Sequence, residues 1–398
     1  MLSKLMTDRI QNRSSIRVAF ERAEALKSTF GNNNVFDFSI GNPKAICPDG
    51  IKIGLEESCD TDPSIHGYMQ SAGYADVRQN IADDLNKKYN LDLTENNIIM
   101  THGAACGINI VLQSILDPND EVIVFSPCYP AYRMFVENFG GKLVTIPYVE
   151  NNNQFEPNLD EFKNAIGEKT KAVIVNTPNN PTGYVWSKGL CTKIANILHD
   201  YEIQHNTDIM LISDEPYRDL IWDDSEMTWF PDIYDNSVIV YSFSKSCSLA
   251  GERIGNVTLS PKISNIDSIR LALLQSLGDL GFVNANASAQ RVVKNLINKT
   301  SDFKLYKKNR ELLIDALEKA GFEFTRSNGA FYVLVKSPNG SDDDFLNALE
   351  EEGIIAVGGK DFGCDGWVRF SYCLSTEDLM RAIPHLLNVG KKYGLCNN

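Results

Sequence analysis

The chain has 398 residues, of which 43% are hydrophobic, and 38 Lys and Arg face 52 Asp and Glu, a formal net charge of −14. This length predicts two or three domains with a substantial core. The acidic balance, without a long basic run, argues against nucleic acid or an anionic membrane surface as a partner. Nine scattered cysteines without a Cys-x-x-Cys pair favour reduced thiols over a disulfide framework.

The sequence contains no pattern typical of secretion or membrane insertion. Residues 1–31 mix charged and apolar residues at helical spacing and lack the continuous apolar core of a secretory signal. The longest uncharged stretch, residues 96–116, includes His102, Asn109 and Gln113, so we do not expect it to span a membrane. We therefore expect a cytoplasmic protein.

The middle of the chain alternates short apolar strands with helical patterns. Helices are predicted over residues 107–116, 159–166 and 189–201. This alternation favours a largely parallel sheet covered by helices on both faces. The predicted strands are residues 97–101, 121–126, 142–147, 172–176, 209–213, 238–242 and 255–259.

After about Leu280 the pattern changes to that of a smaller α+β domain. Helices are predicted over residues 303–320, 344–352 and 376–392, and a strand over 367–372. A hairpin is predicted from residues 323–325 and 330–335, turned at Asn328-Gly329. We expect a large α/β domain with a seven-stranded sheet over residues 41–284, and a small domain built from residues 1–40 and 285–398.

Lys245 is the most informative residue of the chain. It follows the apolar run Val238-Ile239-Val240-Tyr241 and stands among hydroxyl side chains. The carboxyl ends of strands in open α/β sheets are where ligands bind. An amine there can form a Schiff base with an aldehyde cofactor. The alternative is a structural lysine, which predicts a colourless protein.

Two further strand ends are suited to binding a charged ligand, one through its backbone and one through a carboxylate. In residues 101–107 small side chains lie between a strand and a helix, where a phosphate can approach free backbone N–H groups. The alternative is an ordinary tight turn. Asp214 ends a very apolar strand, so its carboxylate needs a cationic partner. A pyridinium nitrogen and a structural arginine both satisfy that need.

The loop over residues 176–183 and Arg369 complete the set of candidates. Two X-Pro bonds and a glycine give the loop a fixed shape, suited to holding a side-chain amide rigidly, although a stiff connector would look the same. Arg369 is a lone guanidinium inside an apolar strand. Its planar fork fits a carboxylate bidentately, and a buried salt bridge is the alternative.

The order of these segments resembles the fold-type I pyridoxal-phosphate enzymes, specifically the class I and II aminotransferases of the aspartate aminotransferase superfamily, across nearly the whole chain. The resemblance rests on an Asn-Pro-Thr-Gly loop (residues 180–183), a Ser-Asp-Glu-Pro-Tyr strand end (213–217), a Ser-x-Ser-Lys…Gly-x-Arg-x-Gly segment (242–255) and a late Arg-Phe-Ser (369–371). Each motif alone is weak, but the four together in the family's order are specific.

The resemblance implies a role for each residue near the ring of pyridoxal 5′-phosphate. Lys245 would hold the cofactor as an internal aldimine and then move a proton. Asp214 would keep the pyridine nitrogen protonated. Tyr217 and Asn180 would hydrogen-bond the phenolic oxygen of the ring. Tyr129, in the run Ser126-Pro127-Cys128-Tyr129, would stack on the ring.

The resemblance also implies which residues hold the phosphate of the cofactor. Ser242 and Arg253 would bind it together with the backbone of Gly103, Ala104 and Ala105. Many relatives carry a hydroxyl in this turn, whereas this chain has two alanines, so the backbone and Arg253 would contribute more.

One residue is implied to act across a subunit interface. Tyr68 would reach the phosphate of a partner subunit, which implies a shared active site and at least a homodimer. No metal ion is implied.

Arg369 and Gly41 are implied at the substrate end. Arg369 would clamp the α-carboxylate, and Gly41 would lie on a strip that closes over the substrate, with Asn180 beside it. Residues 357–363 resemble the family's entrance loop without its proline, and we expect Lys360 there to face water. No second arginine that selects dicarboxylates is identifiable from the sequence, so aspartate is one candidate substrate among several.

The resemblance predicts transfer of an amino group between an L-amino acid and a 2-oxo acid. The same scaffold also runs C–S β-elimination, and the motifs do not separate these two reactions. A cofactor-sensing regulator on this fold usually carries a DNA-binding module ahead of it. Only about forty residues precede Gly41, too few for such a module.

Overall fold

The structure is a computed structural model that describes residues 1–151 and 154–396. The last two residues of the predicted small domain lie outside the described residues. The helices are α1 (Lys4–Gln11), α2 (Ser15–Phe30), α3 (Ile51–Glu57), α4 (Pro63–His66), α5 (Ala75–Tyr89), α6 (Ala104–Ile115), α7 (Ala131–Glu137), α8 (Leu159–Ala165), α9 (Lys188–His205), α10 (Phe243–Ser246), α11 (Ile266–Asp279), α12 (Ala287–Lys294), α13 (Lys304–Ala320), α14 (Asp342–Glu351) and α15 (Thr376–Lys392).

Most strands lie close to the predicted ranges, but those at residues 36–37, 148–151, 154–157, 354–355 and 357–358 were not predicted. The strands are β1 (Phe36–Asp37), β2 (Ile98–Thr101), β3 (Glu121–Phe125), β4 (Lys142–Ile146), β5 (Tyr148–Asn151), β6 (Gln154–Pro157), β7 (Thr170–Asn176), β8 (Met210–Asp214), β9 (Ser237–Ser242), β10 (Gly255–Leu259), β11 (Tyr332–Lys336), β12 (Ile354–Ile355), β13 (Val357–Gly358) and β14 (Trp367–Ser371).

Seven of these strands form the predicted sheet, in the order β2-β10-β9-β8-β7-β3-β4. The pairs β9–β8, β8–β7, β7–β3 and β3–β4 are parallel, whereas β10 runs antiparallel to both β2 and β9. The prediction of a mostly parallel sheet is therefore confirmed.

Helices cover both faces of this sheet, and β7 shows how. Val173 and Val175 pack into one apolar cluster, which includes residues of α5 and α9. Ala172 and Ile174 point to the opposite face and pack into a second cluster, with residues of α6 and α11. Because successive side chains of a strand alternate between faces, a strand buried on both sides has a continuous apolar sequence.

The C-terminal part contains a three-stranded antiparallel sheet in the order β11-β14-β13, and β1 pairs with β12 in parallel. A separate apolar cluster joins β11 and β14 to α13 and α15. This is the α+β character that the sequence predicts. The division into domains over residues 41–284 and 1–40 with 285–398 stays a prediction.

The predicted hairpin is present in part. Phe324 and Val335 form an antiparallel bridge, and beside it the N–H of Thr325 donates to the carbonyl of Leu334 and that of Lys336 to the carbonyl of Glu323. The tight turn expected at Asn328-Gly329 does not close this pair, because the backbone N–H groups of both residues donate to the carbonyl of Gly183. The strand β11 also pairs with β14.

The sheet directs several polar residues to one edge. Asn176, Asp214 and Ser242 are the last residues of β7, β8 and β9. The turn that follows β2 leads directly into α6 at Ala104. Carboxyl ends of parallel strands meet at one edge of the sheet, so these side chains converge. Among the described residues, no helix is both long enough and apolar enough to cross a membrane.

Candidate active site

A cavity of about 550 Å³ opens at this edge of the sheet, between the strand ends, β14 and α2. It is lined by every residue that the sequence predicts for the site except Gly103 and Tyr68. Three segments that lie more than 100 residues apart in the sequence thus meet at one place. The cavity is hereafter called the central cavity.

Lys245 lies in α10, directly after β9, with its amine in the central cavity. Its Nζ donates a hydrogen bond to the carbonyl oxygen of Gly41. Burial lowers the pKa of Lys245 from 10.5 to about 8, and the positive charges of Arg253 and Arg369 act in the same direction. A substantial fraction of this amine is therefore neutral, and nucleophilic, near pH 8.

Asp214 is almost fully buried at the end of β8. Its Oδ2 accepts a hydrogen bond from Tyr132 Oη at 2.5 Å, and its Oδ1 has no hydrogen-bond partner among the described residues. Burial raises the pKa of Asp214 to about 7, whereas the hydrogen bond from Tyr132 lowers it. A buried carboxylate oxygen without a partner is costly unless a cationic group occupies the space beside it.

Tyr132 was not identified from the sequence. It lies in α7, three residues after Tyr129, which precedes the helix, and the two ring centroids are 5.6 Å apart at 87°. The short separation of the two tyrosines was visible in the sequence. What it did not show is that the hydroxyl of Tyr132 reaches Asp214, since that contact spans 82 residues.

Tyr217 and Asn180 lie on the same wall of the central cavity and are both buried. The hydroxyl of Tyr217 is 2.9 Å from the hydroxyl of Tyr332, a second tyrosine that sequence reasoning missed. Asn180 is held by two contacts: its backbone N–H donates to Asn176 Oδ1 at 2.8 Å, and its Oδ1 accepts from Arg369. The predicted rigid side-chain amide is present.

Arg369, in β14, is 1% exposed. Its Nη1 donates to Asn180 Oδ1 at 2.9 Å and its Nη2 to the carbonyl oxygen of Ser39. Its guanidinium lies over the rings of Tyr332 and Phe362, at 4.6 and 5.0 Å from their centroids. Nε finds no acceptor in the part of the chain that the structure describes. No carboxylate neutralises this buried cation there, so the structural salt bridge is not what holds it.

The other end of the central cavity is suited to an anion. The first turn of α6 leaves the N–H groups of Ala104 and Ala105 without intrahelical partners, and the helix dipole adds positive potential. Arg253 Nη1 donates to Ser244 Oγ at 3.1 Å, and Ser242 Oγ donates to the same oxygen at 2.8 Å.

Glycine is required at two positions that shape this cavity. A Cβ on Gly103 would lie 2.8 Å from Arg253 Nη2, so glycine leaves the room for this guanidinium beside the turn, although Gly103 itself does not line the cavity. A Cβ on Gly41 would lie 2.1 Å from Tyr332 Oη and 2.8 Å from the Phe331 ring. Glycine therefore allows the backbone of residue 41 to come close enough to accept from Lys245.

Tyr129 lines the central cavity, as predicted. Two other residues discussed from the sequence do not. Tyr68 is 94% exposed and lies outside the cavity. Lys360 is exposed, its backbone N–H donates to Asp342 Oδ2 at 3.1 Å, and it also lies outside. In the single chain Lys360 faces water, as expected.

A further group of lining residues comes from α2: Ile16, Arg17 and Phe20. Sequence reasoning described this N-terminal region only as helical. Nothing in the local sequence indicates that this helix reaches the cavity, because its position depends on packing against segments more than 300 residues later.

The polar groups of the central cavity match the groups of pyridoxal phosphate one by one. The unpartnered Oδ1 of Asp214 fits a protonated ring nitrogen. The amine of Lys245 fits an aldehyde, and the α6 N-terminus with Arg253 fits a phosphate. In the described residues, no group of three or more His, Cys, Asp and Glu side chains has an arrangement that holds a metal ion.

Comparison with known proteins gives the same family. The family model described as aminotransferase class I and II matches residues 33–386. The aspartate aminotransferase of Pyrococcus horikoshii is 30% identical over 384 residues, which cover 94% of this chain and 94% of that protein.

Solved structures agree with the fold. An aminotransferase from Eubacterium rectale matches with a TM-score of 0.93 at 33% identity, over 99% of this chain and 100% of that chain. The aspartate aminotransferase of Thermus thermophilus with maleate matches with a TM-score of 0.85 at 26% identity, over 98% and 99% of the two chains.

The chain therefore belongs to the aminotransferase class I and II family and has the fold of the fold-type I enzymes. Its cofactor is pyridoxal 5′-phosphate, and its reaction is the transfer of an amino group between an amino acid and a 2-oxo acid. The family and the named relatives agree with amino transfer rather than with β-elimination.

Proposed function

We propose that Lys245 binds the aldehyde of pyridoxal phosphate covalently and serves as the general base of amino transfer. The observation that carries this assignment is one cavity that contains an amine of lowered pKa, a carboxylate oxygen without a partner and a buried guanidinium. Perturbed ionisable groups that converge in a cleft are typical of catalytic sites.

The remaining cofactor contacts are those that the resemblance assigns, and their position around one cavity supports them. Asp214 would pair with the ring nitrogen, Tyr217 and Asn180 would donate hydrogen bonds to the phenolic oxygen, and Tyr129 would stack on the ring. Ser242, Arg253 and the backbone of residues 103–105 would bind the phosphate. When bound, pyridoxal phosphate supplies a protonated ring that accepts the electron pair left at the substrate Cα.

The chain's own groups then position the substrate and move its proton. Arg369 binds the α-carboxylate through the edge that carries its unpartnered Nε, while Asn180 and the Ser39 carbonyl fix the plane of the guanidinium. Lys245 Nζ, once the substrate's amino group has replaced it on the aldehyde carbon, would accept the proton that leaves Cα. Its pKa of about 8 suits this task, because a base works best with a pKa near the operating pH.

The buried setting strengthens these interactions. Gly41 lies at the mouth of the central cavity, and its backbone carbonyl holds Lys245 before the cofactor is bound. Charged groups act more strongly on each other where water is excluded. We propose that the strip around Gly41 covers the substrate during the reaction.

We also propose that the working unit is a homodimer in the cytoplasm, with Tyr68 of each chain reaching the phosphate bound by its partner. The 94% exposure of this large side chain supports a contact outside its own subunit. If so, Tyr68→Phe lowers the affinity for pyridoxal phosphate by about tenfold. Sedimentation must show a dimer, and a monomeric enzyme with full activity would contradict the shared site.

The substrate is proposed by analogy with the relatives. Several are named aspartate aminotransferases, and one solved structure of such an enzyme is described with maleate. These names support an amino acid with two carboxylates as one substrate of this chain.

Amino transfer is tested by its two half-reactions. Purified holoenzyme is mixed with single L-amino acids without an acceptor, and the cofactor spectrum and the 2-oxo acid are measured. We expect one equivalent of 2-oxo acid per site and conversion of the cofactor to its amine form, reversed by 2-oxoglutarate. No conversion with any amino acid across acidic, aliphatic, aromatic and sulfur-containing side chains would refute the proposal.

The same experiment separates β-elimination from amino transfer. A lyase releases pyruvate with sulfide or ammonia over many turnovers without any amino acceptor. Amino transfer stops after one turnover under these conditions. Continued release of pyruvate from cysteine or cystathionine would assign the lyase reaction instead.

A further inference from the structure

Two tyrosine hydroxyls meet at one wall of the central cavity, and only one of them has an assigned partner. Tyr217 Oη and Tyr332 Oη are 2.9 Å apart. Both side chains line the cavity, and both are buried. The proposed function assigns Tyr217 to the phenolic oxygen of the cofactor. It gives no role to Tyr332.

The direction of the hydrogen bond between the two hydroxyls follows from counting protons. A tyrosine hydroxyl has one proton to donate and can also accept a hydrogen bond. If Tyr217 donates its proton to the phenolic oxygen, the bond between the two hydroxyls needs the proton of Tyr332. In the part of the chain that the structure describes, Tyr332 Oη has no other hydrogen-bond partner. Its proton is therefore available for Tyr217.

The fold brings the two rings together from distant segments. Tyr332 is the first residue of β11, where it is paired with Ser371 of β14. Tyr217 lies in the turn after β8, and its ring meets the ring of Tyr332 edge-on, with centroids 5.6 Å apart at 80°. The two tyrosines lie 115 residues apart in the sequence, so only the folded chain places one hydroxyl behind the other.

The main chain of Gly41 confines the hydroxyl of Tyr332 from another side. A Cβ at residue 41 would lie 2.1 Å from Tyr332 Oη, which is closer than two such atoms can approach. Glycine therefore leaves the space in which this hydroxyl stands. A buried donor that packing already holds in place has little orientational freedom left to lose when its acceptor forms a further bond.

The positive charge of Arg369 makes the hydroxyl of Tyr332 a stronger donor. The guanidinium lies over the Tyr332 ring, 4.6 Å from its centroid. Burial raises the pKa of Tyr332 to about 12, and the charge of Arg369 acts in the opposite direction. A cation close to a phenol favours release of the phenolic proton. In a chain of hydrogen bonds, a stronger first donor also polarises and strengthens the next bond.

We propose that Tyr332 is a positioning residue of amino transfer, whose hydroxyl donates to Tyr217 and thereby directs the proton of Tyr217 toward the phenolic oxygen of pyridoxal phosphate. This inference rests on the proposed function, which supplies the contact between Tyr217 and that oxygen. Tyr332 acts through Tyr217 and needs no contact of its own with the cofactor or the substrate.

The visible absorbance of the holoenzyme reports on this chain of hydroxyls, because a hydrogen bond to an ionised oxygen favours the deprotonated form of the bound cofactor. Tyr332→Phe keeps the ring beneath Arg369 and removes only the hydroxyl. We expect the pKa at which the visible absorbance titrates to rise by about 0.5. The affinity of the apoenzyme for the cofactor and kcat are each expected to fall by about two- to threefold, with KM unchanged.

A double-mutant cycle with Tyr217→Phe shows whether Tyr332 acts through Tyr217. In the Tyr217→Phe protein, Tyr332→Phe is expected to cause no further rise of this pKa, because no proton of Tyr217 is left to direct. An equal rise in both backgrounds would overturn the proposal. So would an unchanged pKa in Tyr332→Phe, or a loss confined to KM, which would place the Tyr332 hydroxyl on the substrate.

Tyr372→Phe is the matched control. Tyr372 is buried next to β11, where its backbone N–H donates to the carbonyl of Phe331, and its hydroxyl accepts from Trp222 Nε1 at 2.9 Å. It does not line the cavity. Its loss is expected to lower Tm and to leave the pKa of the visible absorbance at the wild-type value. Conversion of an amino acid by the wild type supports amino transfer whatever the result at Tyr332, so the two claims fail separately.

Discussion

The two ends of the central cavity are built in different ways. At the cofactor end, Asp214 and Ser242 are the last residues of the adjacent parallel strands β8 and β9, and Lys245 follows in the short helix α10. At the substrate end, Arg369 comes from a different sheet and Gly41 from a loop, and the helix α2 adds further lining residues to the cavity. The first end depends on one sheet, and the second on segments joined only by tertiary packing.

This difference separates the chemical step from the binding of the substrate. Residues at the ends of neighbouring strands are held rigidly by one sheet, as proton transfer and cofactor binding require. We therefore expect mutations at the cofactor end to impair the reaction together with the bound cofactor, and mutations at the substrate end to lower kcat/KM while the cofactor stays bound.

The largest effect is expected at Lys245. Lys245→Ala removes both the covalent link and the base, so activity falls by at least about 10⁴-fold for every substrate. The visible absorbance of the bound cofactor disappears with it. Lys360→Ala, which removes an exposed lysine outside the cavity, is the control and keeps both. Survival of the absorbance in Lys245→Ala would refute its assignment.

Asp214→Asn is expected to lower activity by at least about 100-fold, because the ring nitrogen loses its anionic partner.

The same substitution is expected to increase the stability of the apoenzyme. The folded-state pKa of about 7 lies above the usual 3.8, so ionising Asp214 destabilises the folded chain. This cost is absent below pH 4, grows between pH 4 and pH 7, and reaches at most about 4 kcal/mol.

Thermal unfolding of the apoenzyme measures that second effect. Asp214→Asn should raise Tm at pH 8, and the gain should shrink as the pH falls from 7 toward 4. The holoenzyme should show no such gain, since the cofactor supplies the missing cation. A lower Tm for the apo variant at pH 8 would contradict the account of Asp214.

At the substrate end, Arg369→Lys is expected to lower kcat/KM by about 10- to 100-fold for all amino acids. The lysine keeps the charge but not the planar fork that Asn180 and Ser39 orient. Cofactor absorbance and affinity should stay at the wild-type level. Arg326→Lys, at an exposed ion pair with Glu318, is the control. Loss of the cofactor in Arg369→Lys would contradict the assignment of Arg369 to substrate binding alone.

Tyr132→Phe is expected to have the smallest effect of these changes. It removes the hydrogen bond to Asp214 Oδ2, which raises the pKa of that carboxyl and lowers the affinity for pyridoxal phosphate by about tenfold. The loss should decrease as the pH rises, because Asp214 is then ionised in both proteins. Titration of the apoenzyme with cofactor at several pH values measures this. Tyr184→Phe, outside the cavity, should show no change.

The same difference between the two ends explains which parts of the site could be predicted from the sequence and which could not. The strands of the large sheet, Asp214 and Lys245 were identified because buried strands have continuous apolar runs and the charged residues at or just after their ends stand out, whereas Ser242 was assigned through the resemblance to the family. Tyr132 and Tyr332 were missed because their hydrogen bonds, to Asp214 and to Tyr217, join residues more than 80 positions apart in the sequence. The segments of the predicted hairpin do pair, but the turn at Asn328-Gly329 differs because its N–H groups bond to Gly183, about 145 residues earlier in the chain.

The central claim is that Lys245 carries the cofactor, and trapping the cofactor on the chain tests it most directly. The holoenzyme is reduced with borohydride, digested and mapped by mass spectrometry. We predict that the pyridoxyl group is found on the peptide that contains Lys245, and that prior treatment with an amino acid substrate prevents the labelling. A label on another lysine, or none on a coloured enzyme, would contradict the account.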